Sequence, residues 1–590
     1  MTETTSTDPL QAPWEGIDRA VWLRLGDLLG SGANVLSESD VAGRLDPLST
    51  LPAIAKTGYA NLRRPNQAAA ALARAVGNSI VSSQAALVRA LGGSSAYAPE
   101  RGRDKRFKDP TWTDNAAYWW LRESYEIWTA AMLDVVQAAD TDPAVKQKAN
   151  FATQLVVDAL APTNLPFSNP AVLKRALESG GQSLVRGARN FVDDLVNNGG
   201  TPRQVAADVH AVGVNLATTP GEVVFRNELM ELIQYAPTTD EVHEIPLLFS
   251  PPWINKYYVM DLAPGRSLVQ WAVDHGHTVF IISYRNPDHS MSKITMDDYL
   301  ISGPVEALDV IGEVTGSEKV NLLGLCLGGT LTMASLAYLD AVGSDKINSA
   351  TFLNTLIDFS EPGLMGVFTD EATVTRLERT MKKTGFLPGE EMRRSFDLMR
   401  SNDLIWNYVV SSWLMGEDPP AFDLLTWNAD STRMPAEMHS FYLRSCYLEN
   451  QLVRGVMELA GQPLDLTHVD QDLYFLAAEQ DHIAPWRSAY SGALLPAGDV
   501  RFVLSNAGHI AGIVNPPHPK SVHRVAANGG PLPADPDEWL TQATAHPSTW
   551  WEDWAIWIST RAGRKRKPPA TGSQKFPPLA AAPGTYVLEK

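Results

Sequence analysis

The stretch Val320-Asn-Leu-Leu-Gly-Leu-Cys-Leu-Gly-Gly-Thr330 constrains this chain more than any other. A short apolar run enters Gly324-x-Cys326-x-Gly328, Gly329 follows, and Leu331-Thr-Met-Ala-Ser-Leu-Ala-Tyr-Leu339 continues at helical spacing. This is the order of a nucleophile elbow: strand, strained turn, helix, with glycine two residues to either side of the apex, where side chains would strike neighbouring backbone. Such a turn projects the Cys326 sulfur from the top of a sheet and toward a helix N-terminus, whose partial positive charge favours the attacking thiolate. Outside that setting a lone cysteine is a small buried hydrophobe. Cys446, in Phe441-Tyr-Leu-Arg-Ser-Cys-Tyr-Leu448, has no such setting and reads as a residue on a helix face.

An elbow strand needs neighbours, and after about residue 240 short β-branched runs alternate with helical patterns. Strands are expected at 245–249, 278–282, 320–323, 350–353, 473–476 and 501–504, giving a mostly parallel sheet covered on both faces, an α/β fold. Upstream, to about residue 215, apolar residues recur at three- and four-residue spacing, as in Tyr118-Trp-Trp-Leu-Arg-Glu-Ser-Tyr-Glu-Ile-Trp128, and the reading is helical. The expected organisation is a disordered stretch over 1–16, a helical domain over 17–215, a catalytic domain over 216–560 and a basic, Pro/Ala-rich solvated tail over 561–590. More than a hundred residues with little strand character separate the strands near 353 and 473, too many for a connection, so a cap over about 358–445 is expected.

Composition narrows the function. Forty-nine Lys and Arg against 67 Asp and Glu leave a net charge of −18, which argues against a nucleic-acid partner. Two cysteines in 590 residues exclude a disulfide framework and a thiolate-rich zinc site, and the His-x-His in Asp274-His-Gly-His277 reads as a helix end before a strand, so no metal is expected. The opening residues carry no secretory signal pattern, and no apolar run approaches the roughly 20 residues of a membrane span. A cytoplasmic location is the expectation.

The elbow nucleophile of an α/β-hydrolase is followed along the chain by an acid and then a histidine. His509 fits: it follows the strand at 501–504 in Ser505-Asn-Ala-Gly-His-Ile-Ala-Gly512, where two glycines permit a tight loop. Asp481, just beyond the strand at 473–476, is the expected acid; Glu479 falls earlier in that turn and Asp472 at the strand's wrong end. One oxyanion-hole N–H is expected from Leu327, after the nucleophile. The second should come from Pro251-Pro-Trp-Ile-Asn-Lys-Tyr-Tyr258, at Ile254, with Trp253 and Asn255 as neighbours and the prolines excluded for want of an N–H.

Over nearly its whole length the chain resembles the polyhydroxyalkanoate synthases, which polymerise (R)-3-hydroxyacyl-CoA thioesters into storage polyester. The resemblance is carried by Leu195-Val-Asn-Asn-Gly-Gly200, Asn215-Leu-Ala-Thr-Thr219, Val224-Phe-Arg-Asn227, the 251–258 box, Ser283-Tyr-Arg-Asn-Pro287, the elbow, Asn402-Asp-Leu-Ile-Trp-Asn-Tyr408, Asp481-His-Ile483 and Gly508-His-Ile-Ala-Gly512. It implies an α/β-hydrolase catalytic domain with a helical cap, behind a helical N-terminal domain, working as an acyltransferase through an acyl-Cys intermediate. It implies that Cys326, Asp481 and His509 are catalytic, with Asp481 either activating the incoming 3-hydroxyl or orienting His509. It also implies contact of Arg400 with the CoA moiety, while His482 is a candidate for touching substrate. No cofactor is implied, because the CoA thioester is substrate and CoA is product; 3-hydroxybutyryl-CoA is the favoured monomer. The family further implies a homodimer, with Trp406 and Trp427 in the region of pairing and gating, and attachment to polyester granules and their proteins through the N-terminal half. The alternatives are a thioesterase or polyester depolymerase of the same fold and a granule scaffold without catalysis.

Overall fold

The structure, a computed structural model, describes residues 50–95, 97, 104–206, 208–526 and 531–590; the stretch expected to be disordered, 1–16, lies outside them. The chain divides into two compact units, one of residues 1–196 with 401–417, the other of 197–400 with 418–590.

The first unit is helical, with α1 (Thr50–Arg63), α2 (Pro65–Ala90), α3 (Ala116–Gln137), α4 (Pro143–Ala159), α5 (Pro170–Glu178) and α6 (Gln182–Asn197). Helix starts follow local chemistry: Asn115, Asp142 and Asn169 each accept backbone N–H bonds from the first turns of α3, α4 and α5. The buried stripe of α2 is small, Ala68, Ala71, Ala75, Ser82 and Ala85, so α3 approaches closely, with Arg89 placed 4.4 Å over the Trp119 ring. Residues 401–417 join this unit through specific bonds. Trp413 Nε1 donates to Asp194 at 2.8 Å, Ser401 Oγ to Asp158 at 3.2 Å, and Arg106 to Asn402 at 3.1 Å. The helical unit therefore ends earlier than residue 215 and takes a piece of the expected cap, because Gly187 on α6 lets the Trp413 backbone come closer than any Cβ would permit. That juxtaposition is invisible along the sequence.

The second unit is built on an eleven-stranded sheet. Its strands are β1 (Gly221–Arg226), β2 (Met230–Tyr235), β3 (Leu247–Ser250), β4 (Val279–Tyr284), β5 (Val320–Leu325), β6 (Ile347–Leu353), β7 (Asp472–Ala478), β8 (Val500–Ser505), β9 (His523–Ala526), β10 (Ala543–His546) and β11 (Ala580–Ala581). They lie in the order β10-β9-β8-β7-β6-β5-β3-β4-β2-β1-β11, with β4, β3, β5, β6, β7 and β8 parallel and the flanking strands antiparallel. All six expected strands are present. β1 and β2 were not expected, since Glu231 and Gln234 break the apolar run; both side chains are buried and bonded to residues near the other end of the sequence, Thr585 for Glu231, Gly572 and Ala570 for Gln234.

Helix α7 (Leu327–Ala341) covers the sheet after β5 and is buried nearly all round, which explains its weak amphipathicity. Between β6 and β7 lie the cap helices α8 (Glu371–Thr384), α9 (Gly389–Met399), α10 (Asp423–Ala429) and α11 (Ala436–Phe441). Residues 561–590, expected as a solvated tail, are instead packed. Lys565–Arg566 pairs with Val242–His243, β11 extends the sheet edge, the Phe576 ring meets Phe225 edge-on at 5.8 Å, and Val587 is buried. Apolar residues spaced among the prolines supply the anchorage. No described helix is long and apolar enough to cross a membrane.

Candidate active site

Cys326 stands between β5 and α7 with φ of 52° and ψ of −119°, a left-handed conformation that costs a non-glycine residue energy and turns its side chain out of the sheet. The turn is held from both sides: Cys326 N–H donates to Leu353 O at 2.9 Å, and the Gly329 and Thr330 N–H groups donate to Cys326 O at 2.9 and 3.1 Å. All three of its glycines are needed for approach, Gly329 against Thr355. A Cβ on Gly324 would overlap Gly329 and Thr332, and one on Gly328 would run into the carbonyls of Ser250 and Pro251. The start of α7, with Leu327, thus lies against the beginning of the 251–258 loop.

Asp481 follows β7. One carboxylate oxygen accepts the Ile483 and Ala484 N–H groups at 2.8 and 2.9 Å, and the other lies 2.6 Å from His509 Nδ1. Both side chains are nearly inaccessible. Burial alone would discourage protonation of His509, but the negative charge of Asp481, then that of Cys326, with hydrogen bonds to both, outweighs it and the ring is pushed up to about 10. Because Nδ1 is engaged by Asp481, Nε2 is the ring atom left for the thiol. The competing acids stand elsewhere: Asp472 pairs with Arg561 at 2.8 Å, and Glu479 is exposed.

The His509 loop is fixed from below and behind. Asn354, fully buried at the end of β6 with φ of 43°, donates its amide to His509 O. Trp550 and Trp551, at the start of α12 (Trp550–Ser559), donate their indole N–H groups to Gly512 O and Ile513 O at 2.6 and 2.9 Å. Sequence reasoning missed these supports. Asparagine after an apolar strand is a weak sign, since it tolerates the left-handed region better than most residues.

Across from the triad candidates, Trp253 is buried against Tyr299 and Tyr284, at ring distances of 4.4 and 5.3 Å, and Ile254 is half-buried beside it. Tyr442 and Tyr447 were also missed: their rings meet edge-on at 5.4 Å, and burial first, then their mutual interaction and the charge of Cys326, leaves both phenols raised. Cys446 is buried between them in sequence, and burial pushes its thiol up to about 12. His482 is half-buried in the turn after Asp481. Arg400 lies exposed at the end of α9, where the chain crosses into the helical unit. His277 is buried against His243, ring centroids 4.6 Å apart; among the described residues no group of His, Cys, Asp and Glu could hold a metal ion.

A parallel sheet with a strained cysteine elbow, followed by an acid and a histidine on later strand ends, is the architecture of the α/β-hydrolase fold; residues 261–516 match the family model for the alpha/beta hydrolase fold. Residues 103–272 match the model of the poly-beta-hydroxybutyrate polymerase (PhaC) N-terminus. The poly(3-hydroxyalkanoate) polymerase of Methylorubrum extorquens is 43% identical over 492 residues, 82% of this chain and 81% of that protein. The poly(3-hydroxyalkanoate) polymerase subunit PhaC of Cupriavidus necator is 41% identical over 512 residues, 86% of each chain, and polymerase 1 of Ectopseudomonas oleovorans is 42% identical over 507, covering 85% and 89%. The chain belongs to the poly(3-hydroxyalkanoate) polymerase family, acyltransferases with an α/β-hydrolase domain behind a helical N-terminal region.

Proposed function

We propose that this polymerase acts through an acyl-Cys326 intermediate, with (R)-3-hydroxybutyryl-CoA as monomer. His509 Nε2 holds the proton given up by the Cys326 thiol, the thiolate so formed attacks the thioester carbonyl, and the tetrahedral oxyanion is met by the Leu327 and Ile254 N–H groups. The C–S bond to CoA breaks and the proton passes to the departing sulfur. A 3-hydroxyl then gives its proton to His509 Nε2 while its oxygen attacks the acyl group, forming the ester and releasing Cys326. Exchange of one thioester for another keeps the acyl group activated, which a serine ester would not. Asp481 holds Nδ1 and so orients the ring; the observation that carries the reading is its 2.6 Å contact with His509, whose ring is also held protonated by the charge of Cys326.

Arg400, exposed at the end of α9, and His482 are proposed contacts for CoA phosphate and for substrate. The enzyme is proposed to work as a homodimer at the surface of polyester granules in the cytoplasm. Attachment is supported by apolar side chains that the helical unit leaves exposed, Leu72, Val76 and Ile80 on α2 and Val185, Val192 and Leu195 on α6. The test is CoA release from (R)-3-hydroxybutyryl-CoA by wild type and Cys326→Ala, with analysis of the acyl product. Release lost in the variant, with insoluble polyester as product, is the expected result. Free 3-hydroxybutyrate alone would make the protein a thioesterase, and no release from this or longer acyl-CoAs would make it a scaffold.

A further inference from the structure

The loop that carries Ile254 has only a single 3-10 turn, Tyr257–Val259, as regular structure of its own, yet its position decides whether an oxyanion finds its second donor. What holds it comes from two distant parts of the chain. From the cap, Trp427 Nε1 donates to Lys256 O at 2.7 Å, Thr432 Oγ1 to Trp253 O at 2.6 Å, and Asn255 bridges Ser431. The Lys256 side chain is only 5% exposed, and its ammonium meets Asp430 Oδ1 at 2.9 Å and the main-chain carbonyl of Glu589, also at 2.9 Å. Tyr258 OH donates to the other Asp430 oxygen at 3.0 Å. Residues 585–590 are themselves tied down. Tyr586 OH donates to Asn227 O at 2.6 Å, Arg285 reaches the Glu589 carboxylate at 3.3 Å, Arg433 donates to Lys590 O at 3.2 Å, and Thr585 and Tyr586 N–H donate to buried Glu231.

We infer that Lys256 is a positioning residue for the oxyanion loop and that segment 585–590 is the strap that keeps it in place. A buried ammonium tolerates its site only while its partners satisfy it. Losing the Glu589 carbonyl leaves Lys256 with one partner, and the cheapest relief is for the loop to swing toward water, carrying Ile254 N–H away from the acyl carbonyl. Cys326, Asp481 and His509 rest on β5, β7 and β8 and do not move with it. The inference rests on the reading of Ile254 as a donor.

The test uses the full chain, Lys256→Met, a chain ending at Gly584, and the two changes combined. Acylation of Cys326 by p-nitrophenyl butyrate, read as the nitrophenolate burst, needs thiol and oxyanion hole but no polymer; alkylation by iodoacetamide needs the thiol alone. Truncation should slow acylation about 10²- to 10³-fold, the order expected for a lost oxyanion donor, while alkylation stays within about twofold. In the Lys256→Met background, where no charge needs the strap, truncation should add less than about twofold. Alkylation falling in step with acylation, or effects that multiply, would overturn the inference. If the truncated chain does not melt cooperatively, Arg285→Met/Tyr586→Phe loosens the strap without removing it; acylation should drop about 3- to 10-fold, and an unchanged burst would overturn the inference as well. Failure of the polymerase reading would show separately, as no CoA release from wild type with the burst intact.

Discussion

The two walls of the site are built by different means. One wall is the set of strand ends β5, β7 and β8, where each functional side chain follows directly from the strand that carries it and the hydrogen-bonded sheet fixes its height. The other wall is the 251–258 loop and the cap, where position is set by Trp427, Asp430, Thr432 and Glu589, residues some 170 to 330 positions away. The groups proposed for bond making thus sit on the rigid wall. Those proposed for stabilising charge sit on the wall that long-range contacts must assemble, so damage to the first should abolish chemistry and damage to the second should grade it.

The largest effect is expected at the elbow. Cys326→Ala should lower CoA release by about 10⁵-fold or more with an unchanged melting temperature, measured by thiol titration and thermal scan. Asp481→Asn comes next, at about 10³- to 10⁴-fold in kcat, because the wrong imidazole tautomer would face the thiol. The same variant carries a pH signature. His509 is held protonated up to about 10 by Asp481 and Cys326, so the pair's contribution to stability is full below the ordinary histidine range and disappears as pH rises through about 10. The stability lost in Asp481→Asn should therefore be greater at pH 6 than at pH 10 by denaturant titration; an equal loss would show that the pair is not ionic.

Smaller effects sharpen the contrast between the walls. Gly328→Ala would gain about 1 kcal/mol of helix propensity, yet its Cβ would meet the Ser250 and Pro251 carbonyls. A net destabilisation of roughly 1–3 kcal/mol is expected from the overpacking, with acylation slowed because the clash presses on the 251–258 loop. Cys446→Ala should cost about 1 kcal/mol for its lost burial and leave kcat within about twofold. Its iodoacetamide labelling at pH 8 should match wild type in rate and extent, since burial keeps the Cys446 thiol protonated up to about 12.

Much of the rigid wall was legible because its chemistry is local. A strained turn before a helix requires Gly324 and Gly328 at fixed offsets, and the loop that presents His509 closes tightly at Gly512, where a Cβ would strike Gly508 O, so residue type and spacing alone marked these places. The 251–258 loop could be located by its place after a strand, but not its supports, because nothing near Lys256 in the sequence announces Asp430 or Glu589. The segment 561–590 looked solvated for the same reason: basic residues and prolines dominate its composition, and its few apolar anchors count only when β1 and β4 are there to receive them. Glu231 and Gln234 hid β2 in a similar way, being polar residues whose partners lie at the far end of the chain.

The sequence by itself determined which residues could do chemistry and in what order along the chain they had to appear, because turns, caps and apolar periodicity are governed by neighbours a few positions apart. Tertiary structure alone decided which distant groups satisfy the buried ammonium of Lys256, and that 401–417 belongs with the helices of the other unit. The physical reason is that a buried charge or an irregular loop is stable only when complementary groups arrive from elsewhere in the chain, and that arrival is a property of the packed core.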